Sequence, residues 1–135
     1  MVTIHHVHPP HWPPAKGYAN GMRVGDLLFV AGQIGGEPGA NGRHRMVSPR
    51  FVPQFDRALQ NLVEVVRAAG GSPDRIVEMT VFVKGMRSYR AARRKLGPVW
   101  KRHLGAHFPA MTLVEVKDLF EPGSLVEIRA VAALG

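Results

Sequence analysis

The spacing of apolar residues along the chain predicts a first strand followed by a long helix. Residues 26–32 form a short, continuous apolar run that ends in glycine, as expected for a strand buried on both faces. Apolar side chains then recur every three or four residues from Phe55 to Ala69. This periodicity predicts a helix that Ser48-Pro49 caps at its beginning and Gly70-Gly71 ends.

The second half of the chain repeats the alternation of strand and helix. Residues 75–84 are β-branched and partly alternating, and residues 111–117 and 125–134 predict two further strands joined by a turn-rich loop. Between them, apolar spacing predicts a helix that Ser88 caps and that runs to about Leu104. We expect a kink at Gly97-Pro98, because proline lacks a backbone N–H and clashes with the preceding turn.

The remaining segments carry no helical or strand pattern. Four prolines between residues 9 and 14 keep the first 25 residues out of helices and central strands, and residues 35–41 are typical of a loop. The chain contains no internal repeat and no low-complexity linker. It is therefore predicted to be one α+β domain over residues 1–135, with both helices on one face of the sheet.

The last predicted strand has two different faces. One is uniformly apolar and suits packing under the helices: Val126, Ile128, Ala130 and Ala132. The other mixes charge with aliphatic side chains: Leu125, Glu127, Arg129, Val131 and Ala133. A solvated face rarely carries so many aliphatic residues. We therefore expect another subunit to cover it, with the charged residues lining a cleft between the subunits of a closed assembly.

Composition excludes several classes of chemistry. The chain of 135 residues is 45% apolar and has no cysteine, which excludes disulfides, thiolate metal sites and cysteine nucleophiles. Its net charge of +8 favours an anionic ligand or nucleic acid as partner. No stretch approaches the roughly 20 apolar residues that a bilayer span needs, and the first residues do not resemble a signal peptide. We expect no membrane association and a cytoplasmic location.

Histidines and a basic helix offer alternative chemistry. Four histidines lie near the start of the chain: His5, His6, His8 and His11. They have no acidic or sulfur partner in sequence, so we interpret them as solvated or loosely packed and predict no metal site. His103 and His107 are expected at the surface. The basic run 87–102 would suit phosphate contacts, but its aromatic residues match the packing stripe of the helix, so we do not expect nucleic acid as a partner.

Glu127 is the main candidate for chemistry. It is an acid in the middle of the last strand, on the face that a neighbouring subunit is expected to cover. Desolvation would raise the pKa of its carboxyl towards the range useful to a general acid or base. The alternative interpretation is a structural ion pair with Arg129, or with an arginine of the next subunit.

Five short motifs follow one another along the chain. They are Gly17-Tyr18-Ala19-Asn20-Gly21, Leu28-Phe29-Val30-Ala31-Gly32-Gln33-Ile34, Thr80-Val81-Phe82-Val83-Lys84, Phe108-Pro109-Ala110 and Leu125-Val126-Glu127-Ile128. Together they resemble the Rid family, the reactive intermediate deaminases also called YjgF. The resemblance implies a chorismate-mutase-like α+β fold and a homotrimer with three clefts between subunits. It also implies hydrolysis of small imines and enamines to carbonyl compounds and ammonia, without metal or organic cofactor.

The resemblance also assigns roles by position. It places Tyr18 in the cleft, directs the Gly32 backbone at the ligand and gives Glu127 the task of positioning or activating the attacking water. Family enzymes carry an arginine for the substrate carboxylate where this chain has Met111. The loss of this charge-assisted contact argues against classical turnover of 2-aminoacrylate and 2-imino acids.

Two further positions make the predicted cleft more apolar. Ala31 replaces a small polar residue of the family motif, and Leu113 replaces a frequent cysteine. Arg93 could supply the lost positive charge from the second helix, or the substrate could lack a carboxylate near the reacting carbon and be larger and more apolar. The alternative interpretation of Arg93, which we favour, is a solvated basic face of that helix, shared with Arg90, Arg94, Lys101 and Arg102. A non-catalytic small-molecule-binding or regulatory trimer is the alternative function, and an RNA-binding or ribonuclease-like protein is the third.

Overall fold

Two long helices cover one face of a six-stranded sheet, and a separate two-stranded hairpin lies beside it. The computed structural model describes residues 1–135, apart from the side chain of Asn41. The helices are α1 (Phe51–Ala68) and α2 (Met86–Leu104). The strands are β1 (Ile4–Val7), β2 (Gly21–Val24), β3 (Leu27–Ile34), β4 (Gly36–Pro38), β5 (His44–Met46), β6 (Ile76–Val83), β7 (Ala110–Glu115) and β8 (Val126–Ala133).

The large sheet is mixed, in the order β1-β2-β3-β8-β6-β7. Neighbouring strands are antiparallel except for β6 and β7, which run parallel because α2 connects them. The remaining strands, β4 and β5, form the separate hairpin. The α+β prediction, with both helices on one face of a mixed sheet, is therefore confirmed.

Alternate residues of β8 form the floor of the hydrophobic core. The four residues predicted for this face are fully buried: Val126, Ile128, Ala130 and Ala132. The periodic face of α1 packs above them through residues such as Leu59 and Leu62, which are also fully buried. Leu125, Glu127, Arg129, Val131 and Ala133 are only partly buried in a single chain. The side of the sheet away from the helices is called the open face below.

The prediction of an irregular segment over the first 25 residues is wrong. Strands β1 and β2 pair with each other, and β2 pairs with β3. Each has only four residues, too few to show a clear pattern, and the prolines lie in the connection between them. The loop predicted over residues 35–41 is also wrong in part, because β4 and a short 3₁₀ turn at Ala40–Gly42 occupy it.

The helix ends differ from the prediction in ways that capping explains. Helix α1 begins at Phe51, after Arg50 as N-cap, and the hydroxyl of Ser48 accepts the N–H of Arg50 at 3.0 Å in the preceding turn. Gly70, with φ of +83°, ends the helix as predicted. Helix α2 begins after Gly85 rather than Ser88 and continues through Pro98 as one element. In the described part of the chain, neither helix is long and apolar enough to cross a membrane.

Candidate active site

A bulge in β3 shapes the open face where Glu127 lies. Val30 pairs with Ala130 and Gln33 pairs with Ile128, so three steps along β3 match two steps along β8. The extra residue lies at Ala31–Gly32, where the ladder is interrupted. Such β-bulges are common next to active sites. Beyond the bulge the register continues with Ile34 opposite Glu127.

Gly32 leaves the space that the Glu127 side chain occupies. A Cβ at residue 32 would lie 2.2 Å from Oε2 of Glu127 and 2.6 Å from its Cδ. No real contact is that short, so any side chain at this position would displace the carboxyl. The glycine is therefore required for the close approach of the carboxyl to the β3 backbone.

A cavity of about 430 Å³ opens above the bulge. Its walls come from the loop before β2, the bulge, the β4–β5 hairpin, the β7–β8 connection and β8. The polar residues and bulge residues that line it are Tyr18, Ala31, Gly32, His44, Glu121 and Glu127. Lys16 and the exposed ring of Phe120 lie at the same cavity.

Burial shifts the pKa of three groups that line this cavity. It raises the pKa of Glu127 above its ordinary value. It also raises the pKa of Tyr18, and the carboxylates of Glu121 and Glu127 add to that shift. It lowers the pKa of His44, although the charge of Glu121 acts in the opposite direction. Each shift favours the neutral form of the group, so the Glu127 carboxyl keeps its proton to higher pH than an exposed glutamate does.

The predicted structural ion pair of Glu127 with Arg129 does not form within the chain. Nη1 of Arg129 instead donates to Oε1 of Glu78 at 3.0 Å. Among the described residues, neither an ion pair nor a hydrogen bond engages the carboxyl of Glu127. Burial without a partner is the condition under which a carboxyl is available as an acid or base.

Met111 and Arg93 lie together in a second groove, on the helix-covered side of the sheet at the edge strand β7. The register places Met111 beside Met79 and Leu113 beside Val81, so both side chains point towards the helices. Leu113 packs against the hydrophobic core. The groove has a volume of about 270 Å³. Its other walls are mostly aromatic: Phe55, Tyr89, Leu96, Gly97, Trp100 and Phe108.

The predicted site residues therefore fall into two groups within one chain. Tyr18, Ala31, Gly32 and Glu127 meet on the open face, whereas Arg93 and Met111 meet on the opposite side of the sheet. Among the side chains that the structure describes, no group of three or more histidine, aspartate and glutamate residues could hold a metal ion.

Residues 10–134 match the sequence profile of the family described as Endoribonuclease L-PSP. The chain belongs to this family, the Rid/YjgF family. A RutC family protein of Sinorhizobium fredii is 36% identical over 123 residues, which span 90% of this chain and 91% of that protein. The crystal structure of the YjgF gene product from Escherichia coli has a TM-score of 0.79 at 29% identity, covering 96% of this chain and 98% of that one.

Some relatives in the Rid family are named for an activity. A human protein named 2-iminobutanoate/2-iminopropanoate deaminase is 29% identical over 124 residues, which span 91% of this chain and 85% of that protein. The family and the fold inferred from the five motifs are thus confirmed. At the level of the family, deamination of imines is a known activity of proteins similar to this chain.

The sequence analysis did not identify two titratable residues that line the same cavity as Glu127. His44 lies on β5, in a segment whose glycines and proline gave no strand pattern. Glu121 lies in the connection before β8, among residues that read only as a turn. Nothing in the spacing of either residue connects it with Glu127, because the hairpin and the loop approach the cavity only in the folded chain.

His8 departs from the interpretation as a solvated or loosely packed residue, because it is partly buried in a polar network behind the bulge. Its Nε2 bonds to the carbonyl of Trp12 at 3.1 Å, and its Nδ1 faces the side-chain amide of Asn20 at 3.1 Å. Gln33 donates to Oδ1 of Asn20 at 3.3 Å and to the carbonyl of Ala31 at 3.1 Å. Asn20 and Gln33 are buried, so this network holds the bulge backbone from below.

The surface assignment of His103 and His107 also needs correction. Nε2 of His103 lies 2.5 Å from the carboxylate of Asp56, so the side chain connects α2 with α1. Nε2 of His107 bonds to the carbonyl of Ile76 at 2.6 Å, at the beginning of β6. Both histidines are partly buried and support packing.

Proposed function

We propose that this Rid-family protein hydrolyses a small imine or enamine to a carbonyl compound and ammonia, with Glu127 as the acid–base group. The observation that carries the proposal is the Glu127 carboxyl, which lies over Gly32 in a cavity of about 430 Å³ and whose pKa is raised by burial. Relatives named 2-iminobutanoate/2-iminopropanoate deaminases support the reaction class.

Hydrolysis of an imine requires one positioned carboxyl as the acid–base group. A protonated imine already has an electrophilic carbon, and an enamine reaches the same state when a proton adds to its β-carbon. The carboxylate of Glu127 takes a proton from water as the new C–O bond forms, which gives a carbinolamine. The carboxyl then donates that proton to nitrogen, and as the C–N bond breaks the carbinolamine hydroxyl gives its proton to the carboxylate. The carbonyl compound and ammonia leave, and the ammonia takes up this last proton as ammonium, which restores the carboxylate. The steps balance without a redox cofactor.

The other residues of the open-face cavity position the substrate. Tyr18 lines the same cavity as Glu127, and the bulge turns the backbone of Gly32 out of the regular ladder, where it can face the ligand. Ala31 contributes an apolar surface. In this proposal Tyr18 and Glu127 contact the reacting atoms, and Ala31 and Gly32 bind the substrate.

A homotrimer would complete the site. The open face carries Leu27 and Phe29, which are 44% and 41% exposed in a single chain, beside Val131 of β8. Such an apolar face suits burial by another protomer. The groove of Arg93 and Met111 lies across the sheet from Glu127, so only a neighbouring protomer could bring these two surfaces together. We therefore place Arg93 and Met111 on the second wall of an inter-subunit cleft. Leu113, predicted for the same cleft, packs against the core and does not line this groove.

The test compares the wild type with Glu127→Gln on two imines made in the assay. One is the imine of propylamine, from a flavin amine oxidase, and the other is 2-iminopropanoate, from an amino-acid oxidase. The protein should accelerate ammonia release from at least one of them, and Glu127→Gln should lose roughly 10²- to 10⁴-fold of that rate. Glu78→Gln, on the same face but paired with Arg129, is the matched control. Equal rates for wild type and Glu127→Gln would refute the proposal.

The second candidate is a non-catalytic binding or regulatory trimer. The replacement of the family arginine by Met111, in a groove walled by aromatic rings, favours retention of ligands without turnover. A nucleic-acid function has less support, because Trp100 is buried in the core and Tyr89 packs edge-to-face on Phe51 at 6.0 Å. These rings are therefore not available as a stacking platform for bases.

A further inference from the structure

The Glu127 cavity contains a second acid that the proposed reaction does not use. Glu121 is half-buried in the connection between β7 and β8 and lines the same cavity as Glu127, Tyr18 and His44. Its charge is felt by two neighbours, since it raises the pKa of Tyr18 and partly opposes the effect of burial on His44. The two carboxylates therefore act on the same space from different elements.

Within one chain, the arginines that could balance the charge of these two acids are paired or lie outside the cavity. Arg129 is paired with Glu78, and Arg93 of the same chain lines the groove on the other side of the sheet, so an Arg93 could approach the cavity only from a neighbouring protomer. Lys16 also lines the cavity, and burial raises the pKa of Glu127 in its presence. Burial favours the neutral form of His44, which then adds no positive charge.

We infer that this cavity selects a cationic imine without a carboxylate group, that is, the iminium ion of a simple amine. A positive nitrogen between Glu121 and Glu127 would interact favourably with both acids and would help to ionise the buried carboxyl. A 2-imino carboxylate would instead bring a third negative group beside these two acids, and this chain has Met111 where family enzymes have an arginine for that group. Repulsion of this kind is how a site rejects a competing substrate.

The selection fits the chemistry of the reaction. A protonated imine is more electrophilic than a neutral one, so the charge that the cavity binds is the charge that activates the carbon. This inference rests on the proposed function for the step that follows binding, but not for the preference of the cavity itself. Binding of unreactive ligands therefore tests it separately from catalysis.

The binding experiment uses two ligands with the same cyclopentyl ring and opposite charge, cyclopentylammonium and cyclopentanecarboxylate. Each is titrated into the wild-type protein, Glu121→Gln and Glu78→Gln, and the dissociation constant is followed by NMR chemical shifts. Cyclopentylammonium should bind at least tenfold more tightly than the carboxylate. Glu121→Gln should weaken the ammonium complex about fivefold. Glu78→Gln, an acid of the open face outside the cavity, should leave it unchanged.

Each outcome has a distinct meaning. Equal or tighter binding of the carboxylate, no detectable binding of the ammonium ion, or an unchanged ammonium complex in Glu121→Gln would overturn the inference. If ammonium binding depends on Glu121 but neither imine is hydrolysed, the proposed function fails and the selection for cations stands. If 2-iminopropanoate is hydrolysed faster than the imine of propylamine, the proposed function stands and the inference fails.

Discussion

Neighbouring residues of β8 lie on two different faces of the sheet, one packed under the helices and one open. Ile128 points into the core under α1 and α2 and is fully buried within one chain. Glu127, one residue earlier, points to the open face, where a bulge and a cavity replace regular packing. The core under the helices is buried within a single chain, whereas the open face exposes apolar side chains and an acid without a partner among the described residues. The alternation of side chains along one strand thus separates the residues that stabilise the core from the acid that we propose for catalysis.

Truncation on the helix-covered face should give the largest effect on stability. Ile128→Ala removes a fully buried side chain from the middle of the core, which should lower the free energy of unfolding by about 2–5 kcal/mol. Urea denaturation of the wild type, Ile128→Ala and Glu127→Gln measures the difference. A loss in Glu127→Gln as large as that in Ile128→Ala would contradict the separation of the two faces.

A methyl group at the bulge residue Gly32 should reduce the proposed activity of the open face rather than stability. In Gly32→Ala the new Cβ would overlap the Glu127 carboxyl, so the carboxyl must move by an ångström or more. We expect the rate of ammonia release to fall about 10²-fold, since a misplacement of this size is enough to cost that much. The thermal midpoint should change far less than in Ile128→Ala. Full activity in Gly32→Ala would show that the position of the carboxyl does not matter.

A charge on the exposed apolar part of the open face should weaken self-association. Phe29 is 41% exposed and lies opposite Val131, so Phe29→Glu would place a carboxylate in the proposed interface. Sedimentation velocity should show a trimer for the wild type and at least a tenfold weaker association for the variant. Val2→Glu, at a 64% exposed position near the N-terminus, should remain a trimer. A wild-type monomer would refute the inter-subunit cleft.

The pH dependence of stability should show the smallest effect. Burial raises the folded-state pKa of Glu127 above its ordinary value of 4.5, so the folded protein holds this proton more tightly than the unfolded chain. The stabilisation is fully present below that value and is lost as pH rises through the folded pKa. Glu127→Gln should therefore gain stability relative to the wild type between acidic and neutral pH. A constant difference would indicate an unshifted carboxyl.

Much of the fold follows from local patterns in the sequence. The 3.6-residue periodicity of α1 and the β-branched runs of β6 and β8 are long, so each gave its element to within a few residues. Strands β1, β2, β4 and β5 have three or four residues each, and tertiary pairing rather than local pattern forms them. Ser48 misled the prediction of the start of α1 because its hydroxyl bonds within the preceding turn.

The site was less predictable than the fold. Glu127 stood out because an acid interrupted an apolar strand, and the family motifs pointed to Tyr18 and Gly32. His44 and Glu121 reach the cavity from a hairpin and a loop whose positions depend on contacts distant in sequence. The placement of Met111 away from Glu127 depends on which side of the sheet its side chain faces in β7, and a motif does not contain that information.

The most direct test is the titration of the Glu127 carboxyl itself. Glutamate labelled with ¹³C at the side-chain carboxyl gives one NMR signal per residue, and comparison with Glu127→Gln assigns the signal of interest. We predict that the Glu127 carboxyl titrates at clearly higher pH than the other glutamates, because it is sheltered on the open face. Titration together with the exposed glutamates would contradict this account, since a solvated carboxyl there could not serve as the buried acid–base group.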